Sequence, residues 1–216
     1  MIRKRGFLLA AVLLPGSVQA QDREWWWDAP FKAFTMPSES MEPSVPPGSY
    51  LIAKKRIAAQ AQRGDIVAIR VDKSIWIKRV VGLPGDRVRI VDGKVILNGK
   101  TAGYGQGQLY AFYNGRDKGV EQTELLPGET VPYMVVQLRP TPQDNSFEVL
   151  VPANRLYLLG DNRDNSADSR FSHAEGGLET VAFEDVYGVV DPRNIVRGKP
   201  VTRVPAKPSP ALTPVE

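Results

Sequence analysis

The sequence contains no cysteine and a single histidine, His173, among its 216 residues. Without cysteine, the chain forms no disulfide, carries no thiolate nucleophile and offers no cysteine-based zinc site. One histidine also rules out a metal centre built from several imidazoles, although it would still suffice as the base of a catalytic triad. Any chemistry therefore depends mainly on hydroxyl, carboxyl, amide and amine groups.

Long apolar segments are scarce as well. Phe7 to Leu14 forms an unbroken apolar run of eight residues, whereas a membrane-spanning helix needs about 20. The run follows the basic residues 3–5 and precedes Val18-Gln19-Ala20, which has the small-x-small pattern of a leader cleavage site. We interpret residues 1–20 as an N-terminal leader or a short membrane anchor, which predicts that the rest of the chain lies outside the cytoplasm.

A concentrated basic patch is also missing. The net charge is +4 and the basic residues are scattered, which argues against a nucleic-acid partner and leaves an anionic membrane surface as a possible one. Residues 21–36 are rich in tryptophan and phenylalanine, which are favoured where an apolar environment meets a polar one. We interpret this stretch as an aromatic membrane-proximal segment, with packing of its rings on the domain core as the alternative.

Periodicity indicates strands, because no helical pattern extends beyond ten residues. Short alternating or β-branched runs are separated by turn signals, and Asp92-Gly93 is a strong hairpin signal. We expect a mostly β protein, with a barrel-like or folded-over sheet in the main domain and a small inserted β lobe. The predicted strands are 50–54, 66–71, 75–81, 88–91, 94–97, 130–138, 147–151, 155–159 and 186–190.

Composition also divides the chain into regions. We predict a main β domain made of residues 37–98 and 147–198. Residues 99–146 start with an irregular stretch rich in glycine and tyrosine, and we predict that they form an inserted second lobe. Residues 199–216 are rich in proline and lysine, which predicts a disordered tail.

Two serines stand out in the segment Met36-Pro37-Ser38-Glu39-Ser40-Met41. A serine hydroxyl is a poor nucleophile until a base removes its proton. His173 lies in a loop-like stretch with no supporting feature, so we interpret it as a solvated side chain. The other known base for a serine is a lysine, provided that burial keeps its amine neutral.

Lys78 is the lysine whose surroundings fit that requirement. It lies within the predicted strand 75–81, where alternate residues share a face. Lys78 therefore shares its face with Trp76 and Val80, while Arg79 points the other way. An apolar face disfavours the charged amine. The alternative is an edge-strand lysine that protects the sheet from aggregation.

A third segment, residues 160–170, follows the predicted strand 155–159 and is dense in short polar side chains. The spacing of Asp161, Asp164 and Asp168 does not match an EF-hand calcium loop. Two arginines among three aspartates indicate a self-neutralising, ordered loop, which would be a rigid platform for a catalytic side chain. A solvated polar loop is the alternative.

Together these segments resemble the type I signal peptidases, membrane-bound serine proteases that remove leader peptides from exported proteins. A single motif would be weak evidence, but four occur in the family order and span most of the chain from Phe31 to Asp191. The matching segments are 37–43 (PSESMEP), 63–67 (RGDIV), 78–86 (KRVVGLPGD) and 160–170 (GDNRDNSADSR).

The resemblance implies that residues 37–98 and 147–198 form a mostly antiparallel, catalytic β domain with the smaller β lobe inserted. It also implies a Ser-Lys dyad that requires neither metal nor cofactor. Ser40 would be the nucleophile and Lys78 the general base. The backbone N–H of Ser40 and the hydroxyl of Ser38 would form the oxyanion hole, and Ser166 would hydrogen-bond the amine of Lys78. Structural support rather than chemistry would come from Asp161, Arg79, Asp168 and Arg170.

The resemblance further implies preprotein substrates with small residues at the first and third positions before the cut. It places the protein in the bacterial cell envelope, at the periplasmic face of the cytoplasmic membrane, with the membrane surface as a second partner. The chain departs from the family at Ser44, where threonine is frequent, and in lacking the spanning helices that usually precede the nucleophile.

Two other functions stay open at the level of sequence. One is a dedicated maturation peptidase of the same Ser-Lys type, serving a conjugation or pilus system. The other, of a different class, is a non-catalytic periplasmic β module that binds extended peptides. The presence of Ser40, Lys78 and Ser166 together argues against the non-catalytic module.

Overall fold

The computed structural model describes residues 29–197. The predicted leader 1–20, the first part of the aromatic segment and the predicted tail 199–216 lie outside these residues. Within 29–197, no helix has both the length and the apolar composition required to cross a membrane. Short 3-10 helices occur at Ala58–Gln60, Pro142–Asp144, His173–Glu175, Phe183–Asp185 and Pro192–Asn194.

Strands account for most of the regular structure of this part of the chain. The predicted mostly β class is therefore confirmed. The strands are β1 (Phe31–Thr35), β2 (Tyr50–Lys55), β3 (Ile66–Val71), β4 (Ser74–Gly82), β5 (Arg87–Val91), β6 (Lys94–Leu97), β7 (Lys100–Thr101), β8 (Gly103–Tyr104), β9 (Gln108–Ala111), β10 (Lys118–Leu125), β11 (Tyr133–Gln137), β12 (Val149–Leu150), β13 (Arg155–Leu159), β14 (Val181–Ala182) and β15 (Val186–Val190).

The largest sheet has seven strands in the order β1-β2-β15-β3-β4-β13-β14, and all its pairs are antiparallel. It is open, with β1 and β14 at its edges, and the described sheets form no closed barrel. Strand β4 lies between β3 and β13 in the interior of the sheet. This position matters because β4 carries Lys78.

Two smaller sheets accompany the large one. One joins β12, β5, β6 and β7, and the other joins β11, β10 and β8, with β9 also pairing with β10. The second of these sheets is built entirely within the segment predicted as an inserted lobe. The division into a catalytic domain and a lobe with the boundaries given above stays a prediction.

Apolar side chains cover both faces of the large sheet. Ile66 and Leu51 belong to a buried cluster on one face, while Val67 and Val80 belong to a cluster on the other. Each fully buried side chain of this size contributes roughly 1.5–3 kcal/mol. Strands β3 and β4 are therefore buried on both sides, which explains their nearly continuous apolar sequences.

The strand predictions succeed where apolar alternation is clear and fail where it is not. All nine predicted strands are present, although 130–138 shortens to Tyr133–Gln137 and 147–151 to Val149–Leu150. Strand β10 was not predicted, because its buried positions include Gly119, Glu121 and Glu124 instead of apolar residues. Buried carboxylates hide the usual pattern of a half-buried strand.

Strand β1 was also not predicted, since it falls in the segment interpreted as membrane-proximal. Its rings divide between the two interpretations. Phe34 packs edge to face on Tyr187 at 5.8 Å, which fits the core-packing alternative. Phe31 is exposed, as the membrane-proximal interpretation expects.

Candidate active site

Ser40 lies in the turn that connects β1 to β2. Met36 and Met41 on either side of the serine pair are buried in the core, while Pro37 and Ser38 are exposed. The base of the loop is closed by hydrogen bonds between Met36 and the segment around Ser49. The two buried methionines thus anchor the short segment between them. Its first residues lie at the surface, whereas the Ser40 side of the segment is nearly buried, with Ser40 only 8% exposed.

Lys78 meets Ser40 from the interior strand β4. Its Nζ donates a hydrogen bond to Ser40 Oγ at 3.0 Å. The side chain is 3% exposed and its Nζ lies 5.4 Å from the centre of the Trp76 ring. The predicted shared face with Trp76 and Val80 is confirmed. Strand β4 is not an edge strand of the sheet, because β3 pairs with its residues 74–79 and β13 pairs with Arg79, Val80 and Gly82. The edge-strand alternative is therefore wrong for the strand, and the pairing with β13 begins directly after Lys78.

Burial determines the protonation of this amine. Removal from water lowers the pKa of Lys78 from 10.5 to about 8, and the carboxylates of Asp168 and Asp161 oppose that shift only in part. A substantial fraction of the amine is therefore neutral at mildly alkaline pH. A neutral amine at hydrogen-bond distance from a serine hydroxyl can act as its base.

The two groups expected to form an oxyanion hole lie beside this pair. Ser38 Oγ is 3.2 Å from Ser40 Oγ. The backbone N–H of Ser40 donates no hydrogen bond to any residue within 29–197. Both donors are thus close to the hydroxyl that would attack, and their role stays a prediction.

Ser166 lies nearby without making the expected contact. Its hydroxyl is buried and has no hydrogen-bond partner in the described part of the chain, so the expected bond to Lys78 is absent. Gly160 separates Ser166 from the nucleophile loop, by which we mean residues 36–49 between β1 and β2. A Cβ on Gly160 would lie 2.2 Å from Ser166 Oγ and 2.5 Å from the Ser40 carbonyl oxygen, so only glycine permits this close approach.

Arg79 occupies the opposite face of β4. Its guanidinium makes two bonds to Asp161, of 2.7 and 2.6 Å, and a third to the Gly64 carbonyl at 2.6 Å. It also stacks on the Tyr133 ring, with 4.0 Å to the ring centre. The buried Arg79–Asp161 pair holds the start of segment 160–170, the polar segment, against β4. It therefore fixes the position of the polar segment relative to Lys78.

Asp168 and Arg170 form a second buried ion pair. Arg170 Nε and Nη2 donate to the two Asp168 oxygens at 2.9 Å each, and Asp168 also accepts from the Gly160 N–H at 3.1 Å. The expected self-neutralising loop is therefore correct for this pair. It is wrong for Arg163, whose partner comes from another sheet.

That partner is Glu124 on β10, which sequence reasoning missed. Arg163 donates to both Glu124 oxygens, at 2.7 and 2.6 Å, and the hydroxyls of Tyr104 and Tyr133 donate to the same carboxylate. All of Glu124 is buried. The network joins the sheet of β8 to β11, here called the lobe sheet, to the polar segment 160–170. No local signal marks the pair, since its members are far apart in sequence.

A cleft of about 560 Å³ opens at the serine–lysine pair. Its walls are mainly apolar and come from the end of β1 and the start of β4. Beside Ser38, Ser40 and Lys78, the cleft is lined by Phe34, Thr35, Met36, Pro37, Ser74, Ile75, Trp76, Ile77, Asn165 and Ala167.

His173 does not line this cleft. Its side chain is exposed on a 3-10 helix, where its Nδ1 lies 3.2 Å from the Gly177 carbonyl oxygen.

Comparison with known proteins gives consistent matches. The family model described as signal peptidase, peptidase S26, matches residues 25–198. A signal peptidase I of Pseudomonas aeruginosa is 31% identical over 76% of this chain and 61% of its own length. That of Rickettsia canadensis is 32% identical over 70% of this chain and 67% of its own. The chain thus spans between three fifths and two thirds of the length of these relatives.

A solved structure, a signal peptidase I from Enterococcus faecalis V583, matches 60% of this chain and 96% of that chain at 25% identity, with a TM-score of 0.35. A TM-score of this size carries no argument about the fold, so the family assignment depends on the sequence matches. Since the family model covers most of the chain, including the segments that carry Ser40 and Lys78, the chain belongs to the signal peptidase family, peptidase S26.

Proposed function

We propose that this protein is a serine endopeptidase that removes N-terminal signal peptides from exported preproteins, with Ser40 as nucleophile and Lys78 as general base. The observation that carries the proposal is the 3.0 Å contact between Lys78 Nζ and Ser40 Oγ in an open cleft. The lowered pKa of Lys78, about 8, makes its amine available as a base at neutral to mildly alkaline pH.

The proposed reaction needs only these side chains and water. Ser40 Oγ attacks the scissile carbonyl while its proton passes to the neutral amine of Lys78. The Ser40 N–H and the Ser38 hydroxyl stabilise the oxyanion that forms. The Lys78 ammonium then protonates the leaving amine. Water hydrolyses the acyl-enzyme with Lys78 again acting as base, which restores the Ser40 hydroxyl.

Ser166 is proposed to orient the lysine. Its buried hydroxyl has no partner among the described residues and is packed against Gly160, next to the nucleophile loop. When Ser40 Oγ is acylated it becomes an ester oxygen, which is a weaker acceptor for the hydrogen bond from Lys78. We propose that Ser166 Oγ then accepts the hydrogen bond of the amine.

The cleft supports an extended peptide as the substrate. It runs along the first residues of β4 and the segment from Phe34 to Ser38, so a peptide lying in it follows a strand. Its apolar walls favour uncharged side chains beside the reacting carbonyl. We propose preproteins with small residues at the first and third positions before the cut.

A membrane surface is the second proposed partner. On the β1–β2 hairpin, Phe31, Tyr50 and Ile52 lie on one face and are 58%, 61% and 44% exposed. Val196, bridged to Tyr50, continues this apolar surface. Because β1 leads directly into the nucleophile loop, a membrane on this face would bring the cleft close to emerging leader peptides. The periplasmic face of the bacterial cytoplasmic membrane is the corresponding location.

The proposal is tested by cleavage of a preprotein with an Ala-x-Ala leader in detergent, with product masses identifying the cut. Wild type and a Lys94→Ala control, which alters an exposed lysine, are expected to cleave after the last alanine. Ser40→Ala and Lys78→Ala are expected to leave the preprotein intact. A folded wild type without activity on several such preproteins would overturn the proposal.

A further inference from the structure

The peptide group between Glu39 and Ser40 has a fixed orientation. The Glu39 carbonyl oxygen accepts hydrogen bonds from the Asn162 side-chain Nδ2 at 3.2 Å and from the Glu42 N–H at 3.0 Å. In a planar trans peptide the C=O and the N–H point to opposite sides. The Ser40 N–H therefore points away from Asn162, and it donates to no residue within the described range.

Asn162 also holds the next peptide group. Its backbone N–H donates to the Ser40 carbonyl oxygen at 3.2 Å. One residue thus binds the carbonyls of Glu39 and Ser40, which belong to the two peptide groups that flank the Ser40 Cα. Rotation of either group would break a bond to Asn162.

Asn162 is itself held rigidly. It is completely buried, and its chain neighbours bond to Val136 on β11. The Val136 N–H donates to the Asp161 carbonyl at 2.9 Å, and the Arg163 N–H donates to the Val136 carbonyl at 3.0 Å. The neighbours of Asn162 therefore face β11, while Asn162 faces the nucleophile loop from outside the cleft, which it does not line.

From this arrangement we infer that Asn162 is a positioning residue for the oxyanion hole: it clamps the Glu39–Ser40 peptide so that the Ser40 N–H stays available to the substrate's oxyanion. The inference rests on the proposed peptidase function. An oxyanion donor accelerates the reaction because it is oriented before the charge develops. A rotated peptide would turn this donor away while leaving the contact between Lys78 and Ser40 Oγ intact.

Two variants test the clamp. Asn162→Leu keeps the branched shape of the side chain and the backbone bond to Ser40, and it removes the side-chain donor together with the amide oxygen, which has no partner among the described residues. Asn162→Ala removes the donor and leaves space. With a short Ala-x-Ala peptide, each is expected to lower kcat by roughly tenfold to a hundredfold, with KM changed less than about twofold. The midpoint of the pH–rate profile is expected to stay where it is in wild type, because Lys78 is untouched.

The matched control is Asn114→Ala. Asn114 also donates to Glu39, but to its side-chain Oε2 at 3.5 Å and not to the peptide, so kcat is expected to stay within about twofold of wild type. A folded Asn162→Leu protein with wild-type kcat, or with its loss confined to KM or to a shifted pH midpoint, would overturn the inference alone. An inactive wild type would instead overturn the proposed function.

Discussion

The two faces of β4 treat adjacent basic side chains in opposite ways. Lys78 points to an apolar face with Trp76 and Val80 and donates its hydrogen bond to a neutral hydroxyl. Arg79 points to the other face, where Asp161, a carbonyl and a tyrosine ring surround its guanidinium. Both side chains are almost completely buried.

Their protonation differs because their partners differ. Burial lowers the pKa of Lys78 to about 8, since no carboxylate of residues 29–197 bonds to its amine. Burial also acts to lower the pKa of Arg79, but the attraction of Asp161 outweighs it and the net shift is upward. Burial alone therefore does not decide whether a base is charged; the presence of a bonded counter-ion does. One face is suited to proton transfer and the other to holding the structure.

The largest expected effect comes from making the two faces alike. Lys78→Arg places a permanently charged group opposite Ser40, and no neutral base remains. We expect kcat of Lys78→Arg to fall on the order of 10⁴-fold. The kcat of Lys78→Ala should fall by the same factor, because that variant also has no base. Peptide cleavage by folded protein, verified by circular dichroism, measures this. Activity of Lys78→Arg within about tenfold of wild type would contradict the role of the neutral amine.

The second effect is on stability. Asp161→Asn removes the counter-ion of Arg79 and leaves a buried charge uncompensated, which costs about 3–5 kcal/mol of unfolding free energy. Urea unfolding measures the loss. The matched control is Glu148→Gln, which breaks the exposed pair with Arg87 and is expected to cost about 1 kcal/mol or less. Equal losses in the two variants would mean that burial adds nothing to the cost of removing the counter-ion of Arg79.

A smaller, pH-dependent effect is expected from Lys78→Met. The unfolded chain binds this proton more tightly than the folded one between pH 8 and 10.5, so wild-type stability is reduced below pH 8 and recovers as pH rises through that window. Lys78→Met should therefore be more stable than wild type at pH 7, by up to about 3 kcal/mol.

Thermal unfolding at pH 7 and at pH 10 checks this difference, at about 2–4 °C for each kcal/mol. The advantage of Lys78→Met should shrink at the higher pH. Lys94→Met, which alters an exposed lysine, should show no such pH-dependent gain. A gain for Lys78→Met that is independent of pH would mean that packing, and not charge, explains it.

The smallest expected effect is the slope of the activity profile. Below the pKa of Lys78, kcat/KM should rise about tenfold for each pH unit, because only the neutral amine is a base, and it should level off above about 8. Initial rates from mildly acidic to alkaline pH measure the slope. A profile that is flat through pH 8 would count against a titrating base in the dyad.

Much of the site could be predicted from sequence because its signals are local. Strand alternation indicated the apolar face of Lys78, and the fold places that amine against Ser40. The pairs Arg163–Glu124 and Asn162–Glu39 could not be predicted, since they join residues far apart in the chain and depend on how the lobe sheet docks. Strand β10 was hidden for the same reason: its buried carboxylates make sense only beside their distant partners.

The expected bond from Ser166 to Lys78 shows a different limit. The motif puts Ser166 in the correct polar segment, and the fold brings that segment next to the nucleophile loop. The direction of one hydroxyl, however, depends on small differences in distance around Gly160. A sequence motif therefore predicts that a serine stands at this position, but it does not predict the direction of the serine hydroxyl.

The sharpest experiment on the dyad is a titration of the Lys78 amine itself. Protein labelled with ¹³C at the lysine ε carbon would be followed by NMR from neutral to strongly alkaline pH, with Lys78→Met identifying the signal by its absence. A midpoint of about 8 is expected for Lys78. A midpoint near the ordinary lysine value of about 10.4 would mean that the amine stays charged in the cleft and would contradict its role as the base for Ser40.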